Sequence, residues 1–303
     1  MTPTGQSAQH RNRCCQPSGR SCSCCPLRAE LSVLELGGRL TAADVTFLSN
    51  LQHLQRLGVS LSSHRAAAGV AAAAPPGLTA LDLDLGSTIM GFCDDSALSP
   101  REVCLSGLSQ LQCFRGAGVR MQPSTLAVVT GLHELRLLWP KTFDRYQWTS
   151  RELLSALRPL TQLRHLELKE CWLNRVEPPP EQQGDGYKCF SALTASTQLT
   201  ALILEESAVP PVPQAVFDHL FPPGHVLPHL KVLSLMSCYY RPCMYVGCRP
   251  CVEAVQVAMI AARCPALQEL TLKGVTPPGL DVNCLKQLPL GVQNVEGLGW
   301  SRS

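Results

Sequence analysis

The chain has 303 residues, enough for a sizeable core, and length alone allows one or two domains. Its 26 Lys and Arg against 23 Asp and Glu leave a net charge of +3, with charged residues at 16%. That balance argues against a strongly basic nucleic-acid surface, and no apolar run is long enough to span a bilayer.

Residues 1–26 are rich in Ser, Arg, Pro, Gly and Cys, carry no acidic residue and show no periodicity. They predict a disordered tail. Cys14, Cys15, Cys22, Cys24 and Cys25 lie there among Arg11, Arg13 and Arg20, without the spacing of a zinc module. An Arg/Ser-rich organelle transit peptide is the competing reading, with lipidation or metal capture behind it. Residues 27–300 read as one repeat domain. Its first strand is expected over 31–36, then a helix over 41–51 with Thr41 as N-cap. A strand over 54–59 precedes the Ala-rich run 65–74, an outer helix that Pro75 and Pro76 stop.

Strand three spans 78–83. The capping box Ser99-Pro100-Arg101-Glu102 predicts a helix leading to a degenerate strand at 111–116, where Phe114 replaces a leucine. Pro123 opens the next helix, which feeds the strand 132–137. A second capping box at 149–152 starts a helix to 157, ahead of the strand 163–168. A helix near 189–195 precedes the strand 199–204, and prolines open the segment 214–221. Then come the strand 230–235, a cysteine loop 236–251, a helix over 252–262 and the strand 267–272. A last partial unit, 279–300, has a leucine-poor strand at 292–295 and no helix after it. Terminal repeats need a cover, here Trp300, a partner or sequence beyond the chain's end.

One phrase organises these elements. The stretch 160–171, LTQLRHLELKEC, has the form L-x-x-L-x-L-x-x-C through Leu163, Leu166, Leu168 and Cys171. It returns as LTALDL, LHELRL, LTALIL, LKVLSL and LQELTL. Leucines alternating with polar residues describe a half-buried strand. One such strand cannot bury its apolar side alone, whereas stacked copies share a continuous core. The recurrence resembles a leucine-rich repeat protein of the ribonuclease-inhibitor-like or cysteine-containing subtype. Residues 262–272, ARCPALQELTL, are similar to repeats of F-box-type adaptors. The resemblance implies a right-handed α/β solenoid, with a parallel β-sheet on the concave face and helices on the convex face. It implies protein partners, as for adaptors, cytoskeletal or axonemal scaffolds and regulators. An F-box-like ubiquitin-ligase substrate receptor is an alternative, though no F-box-like segment precedes Leu31. The ninth-position asparagine usual in the family is absent, and only Cys171 and Cys238 fill that slot as cysteine.

Sixteen cysteines among periodic segments, with no signal-peptide core, predict free thiols in a reducing, intracellular and cytoplasmic setting. Cys104, Cys113, Cys189, Cys264 and Cys284 are expected in or beside the core. Cys238, Cys243, Cys248 and Cys251 offer four thiolates, but only the last two form a tight pair. Zinc binding or thiol-redox chemistry there is therefore a further alternative. No phosphate-cradling, zinc-protease or nucleophile-elbow motif occurs, so neither an enzyme nor a cofactor is predicted. His53, His133, His165 and His229 are expected on the surface.

The leading leucines fall at 31, 54, 78, 111, 132, 163, 199, 230 and 267, and several intervals exceed a period of roughly 20–29 residues. The surplus follows the strands, so long loops should gather on one rim. Trp139, Tyr146, Trp148, Trp172, Tyr187, Tyr239, Tyr240 and Tyr245 all fall in these loops, and Tyr and Trp suit interface hot spots. Local packing of the rings within their own loops is the competing reading. The concave face should show Glu35, Arg56, Asp82, Asp84, Arg115, Glu134, Arg136, Glu167, Lys169, Glu205, Glu269 and Lys273. Mixed signs suit a protein partner better than a phosphate backbone. The expected binding set is the loop aromatics with Arg136, Glu167 and Lys169.

Overall fold

A computed structural model describes residues 31–86, 102–138, 150–169, 171, 186–205, 213–236, 252–273, 282–289, 291–292, 294–296 and 300–301. The expected tail 1–26 and the cysteine loop beyond Met236 lie outside them.

The strands run in chain order across one sheet: β1 (Val33–Leu40), β2 (Arg56–Leu61), β3 (Ala80–Asp84), β4 (Cys113–Ala117), β5 (Glu134–Leu138), β6 (His165–Lys169), β7 (Ala201–Glu205), β8 (Val232–Met236), β9 (Glu269–Lys273), β10 (Asn294–Glu296) and β11 (Trp300–Ser301). β1 to β10 pair in parallel, each with its sequence neighbour. Helices return the chain between most strands. This is an open α/β repeat solenoid of the leucine-rich-repeat kind.

The motif explains the register. The leading leucine is not itself in the strand but closes a four-residue turn. Leu163 N–H donates to Leu160 O at 3.2 Å, Leu132 to Val129 O at 3.1 Å and Leu267 to Cys264 O at 3.2 Å. One carbonyl just ahead of each strand then accepts two successive amides from the next repeat. Gln55 and Arg56 donate to Ser32 O at 2.8 and 2.9 Å, and Thr79 and Ala80 donate to Gln55 O at the same distances. The pattern continues to Gln268 and Glu269 on Lys231 O. The starts of β1 to β9 are thereby set in register, with one shift in β1 between Leu36 and Leu40, and the two inward positions form continuous rows. One row runs Leu57, Leu81, Phe114, Leu135, Leu166, Leu202, Leu233, Leu270 and Val295. All of these are at most 2% exposed. Burying each such side chain contributes about 1.5–3 kcal/mol before chain entropy is charged against it.

Phe114 fits because Gly116 replaces the second inward leucine. A Cβ at Gly116 would lie 3.2 Å from the Phe114 ring and 2.6 Å from Val119 Cγ2. Val119 and the ring thus together occupy the volume that a leucine fills in the neighbouring strands.

The helical layer is α1 (His64–Ala73), α2 (Pro123–Ala127), α3 (Ser150–Leu157), α4 (Pro213–Leu220) and α5 (Ala254–Arg263), with 3-10 helices at Asp44–Asn50, Gly186–Thr194 and Val282–Gln287. Neighbours pack side by side: Asp44–Asn50 on α1, α2 on α3, and α3 and α4 on Gly186–Thr194. Ser63 caps α1, its Oγ accepting the Ala66 amide at 3.2 Å. Glu253 and Gln256 form a capping box on α5.

Several expectations need correction. The first helix is 3-10 rather than α, and Ala43, not Thr41, is its N-cap. The Asp44 carboxylate instead accepts both the Thr41 amide and hydroxyl, at 2.8 and 2.7 Å. No helix occupies 102–112. Leu105, Leu108 and Leu111 are buried by two successive turns, and Val103 bridges to Met121. Gly107 within that short span disfavours a helix. Among the described cysteines, Cys104 is exposed and Cys113 half-buried, whereas Cys189 packs against the core as expected and Cys171, Cys264 and Cys284 are buried in it. Tyr187 belongs to the Gly186–Thr194 helix, not to a loop. Two features of the last unit were not anticipated: a 3-10 helix, Val282–Gln287, ahead of its strand, and β11, which turns back antiparallel on β10.

Candidate functional site

The outward positions of each strand form three columns on the sheet face opposite the leucines. The first runs Val33, Arg56, Ala80, Cys113, Glu134, His165, Ala201, Val232 and Glu269. The second runs Glu35, Gly58, Asp82, Arg115, Arg136, Glu167, Ile203, Ser234 and Thr271. The third holds Asp84, Ala117, Leu138, Lys169, Glu205, Met236 and Lys273. Every charged residue expected on this face occupies one of these columns.

At its centre the face carries a ladder of alternating charge. Arg115 and Arg136 are register neighbours, and the Glu134 carboxylate lies between them. Its Oε1 accepts Arg115 Nε at 2.9 Å and lies 2.8 Å from Arg115 Nη2. Arg136 Nε is 2.7 Å from the same oxygen, close enough for charge attraction but without hydrogen-bond alignment. Arg136 Nη1 reaches Glu167 at 3.3 Å. Lys169 then bridges Glu167 and Glu205, at 2.9 Å to each. Four strands are stitched together in this way.

Glu167 is the most enclosed member, only 9% exposed. Burial works against its charge. The hydrogen bond from Lys169 and the charges of Lys169 and Arg136 outweigh that, and its pKa falls below the usual value. Glu134 behaves alike: burial opposes its charge, but its bond to Arg115 and the charge of Arg136 prevail. His165, half-buried 3.4 Å from Glu167, is pushed below the usual histidine value by burial and by Arg136. It is an element of the ladder rather than the bystander expected, whereas His53 and His229 are exposed.

The two flanks differ from the centre. Over β1 to β5 lies a groove of about 790 Å³. Gly58, Ala80 and Ala117 line it as small side chains, Val33 and Leu138 as apolar ones. Val33 and Leu138 are 48% and 38% exposed. Its charges are Glu35, Asp82, Asp84, Arg56 and Arg115. Asp82 is raised above the ordinary carboxylate value, first by loss of water, and further by Asp84 and Glu35 against the pull of Arg115. Over β7 to β9 the face is more sparsely charged, with Ile203, Val232, Ser234, Met236 and Thr271 beside Glu205, Glu269 and Lys273.

Of the expected binding residues, Arg136, Glu167 and Lys169 meet in the ladder. Trp139, Tyr146, Trp148, Trp172, Tyr239, Tyr240 and Tyr245 lie outside the described residues, as do Cys238, Cys243, Cys248 and Cys251. The side chain of Tyr187 is likewise undescribed. Leu138, Cys113 and Val33 were missed. Their signal was parity: each lies an even number of positions from a charged residue already placed on the face. Among the described residues, no group of three or more His, Cys, Asp or Glu is placed to hold a metal ion. No described helix is long and apolar enough to cross a membrane.

No protein-family model and no curated protein matches the chain. Among solved structures, a leucine-rich-repeat protein of Leptospira interrogans is similar to it. The two share 16% identity over 90% of this chain and 73% of that one, with a TM-score of 0.40. Strand order and register, not this similarity, identify the solenoid.

Proposed function

We propose that the chain is a non-enzymatic scaffold that binds a protein through the outward face of its sheet. One observation carries this reading. A single ordered surface sets fixed charges of both signs beside a groove and a sparsely charged flank, with apolar Val33 and Leu138 left in water. Fixed, mixed charge gives a partner register and discrimination, and exposed apolar groups beside it supply the area. A phosphate backbone would call for uninterrupted positive charge. The adjoining loops with Trp139, Trp148 and Tyr239 form the rim of the same surface in this proposal, within a cytoplasmic protein.

The test is quantitative affinity capture with mass spectrometry. The intact chain is compared with a face variant, Arg56→Glu, Leu138→Asp and Glu269→Lys, and a helix-side variant, Arg65→Glu and Lys286→Glu. All five positions are exposed, so each change should alter stability by less than about 0.5 kcal/mol. Partners should be lost from the face variant alone. Identical recovery by both variants refutes the reading. A Trp139→Ala, Trp148→Ala, Tyr239→Ala variant tests the rim in the same way.

A further inference from the structure

The groove over β1 to β4 has features that the rest of the face lacks. Its carboxylates Glu35 and Asp82 have no ion-pair partner among the described residues, unlike Glu134, Glu167 and Glu205 on the ladder. Among the described residues, Asp84 accepts only the Gly86 amide, at 2.7 Å. Of the two facing cations, Arg115 is committed to Glu134. The groove therefore has negative charge to spare. Small residues beneath it, Gly58, Ala80 and Ala117, leave room for a long side chain to lie along the sheet.

The chain supplies a complementary segment. Residues 1–29 carry Arg11, Arg13, Arg20 and Arg28 and no Asp or Glu. This segment leads directly into β1, whose Val33 and Glu35 form one wall of the groove. We propose that the chain's own Arg-bearing segment, residues 9–28, docks in the groove over β1 to β4 and competes there with external partners. The proposal rests on the reading of this face as the docking surface, and it adds the regulation of that surface.

Magnitudes permit it. Twenty extended residues reach about 60 Å, while crossing from β1 to β5 takes four strand spacings, about 19 Å. A tethered segment acts at an effective concentration of about 1 mM, so even a weak site fills. Guanidinium groups suit carboxylates, which they meet through paired N–H donors. The raised pKa of Asp82 agrees, because a carboxylate short of favourable charge gains most from an arriving cation. The groups facing this site are Glu35, Arg56, Asp82, Asp84, Cys113 and Arg115.

The test uses the full chain with a photoreactive residue, Ser18→benzoylphenylalanine, irradiated and mapped by mass spectrometry. The expected photoproducts lie within one molecule, on residues 33–37, 56–60 and 80–84. They should be lost in about 1 M salt, where the screening length falls to ~3 Å. They should also be lost in a chain carrying Asp82→Asn and Asp84→Asn, isosteric changes at exposed positions. Photoproducts confined to the helices, joined to a second copy, absent, or indifferent to the asparagines overturn the proposal. The capture experiment separates the two ideas. Partner loss from the face variant without these photoproducts sinks the tail alone. Photoproducts without partner loss sink the face reading alone.

Discussion

Glu167 shows what a single residue contributes to this surface. Its charge is kept under partial burial only because Lys169, Arg136 and His165 surround it. Replacing it by alanine would leave Arg136 and Lys169 facing one another. We expect a loss of about 1–3 kcal/mol, less than for a fully buried pair, because Arg136 and Lys169 retain part of their surface in water. The pH dependence follows from the direction of each shift. His165 binds its proton less readily when folded, so its contribution is complete above the ordinary 6.5 and is lost as pH falls below that. The depressed Glu167 and Glu134 contribute fully above their ordinary 4.5 and lose that contribution as pH falls through their lower folded values. Asp82, raised in the fold, works weakly the other way. Melting temperature should therefore fall in two stages on acidification. His165→Asn should flatten the upper stage and Glu167→Gln the lower. An unchanged profile in both variants would mean that the ladder does not couple to folding.

At the scale of the element, β4 is the informative departure from the repeat. Phe114 and Gly116 exchange volume between adjacent inward positions, so neither change should be tolerated alone. Phe114→Leu opens space and Gly116→Leu overfills it, each at about 1–3 kcal/mol. The double variant restores the pattern of β3 and β5. In a denaturation cycle it should cost less than the sum of the singles by about 0.5–3 kcal/mol, whereas simple additivity would contradict the exchange. The strands were legible because a period of two with a leading leucine is unambiguous when repeated. Helix type was not, because connection length decides it and no local propensity announces that. The 3-10 helix Asp44–Asn50 spans about 14 Å with 7 residues, close to the about 15 Å of the 10-residue α1. The helix expected before Phe114 failed for a related reason. Its capping-box signal was sound in form, but turns already bury Leu105 and Leu108.

At the scale of the molecule, each repeat contacts its sequence neighbours, and position along the stack is position in the chain. The two ends are finished differently. Leu34, Leu36 and Leu40 in β1 are only partly buried, whereas β11 closes the other edge by pairing antiparallel with β10. That reversal was not legible, since Trp300 and Ser301 carry no strand periodicity. The strand ends from which the long connectors leave were, although the connectors themselves lie outside the described residues. The stretches 87–101, 139–149, 172–185, 206–212, 237–251 and 274–281 each follow the end of β3, β5, β6, β7, β8 or β9. Parallel neighbours in register bring those strand ends to one edge of the sheet. The charged face was legible residue by residue for the same reason, since the parity of the strands fixes it. Its division into groove, ladder and sparsely charged flank was not, because ion pairs between repeats depend on which residues the stacking makes neighbours.

The claim that the outward sheet face is where a protein docks is tested most directly by carboxyl footprinting of the full chain with and without a captured partner. The account predicts reduced labelling of Glu205 and Glu269, which lie outside the groove, in the complex, with Asp218 and Glu152 on the helical side labelled as before. Protection of the helical carboxylates, with the sheet face unchanged, would contradict it.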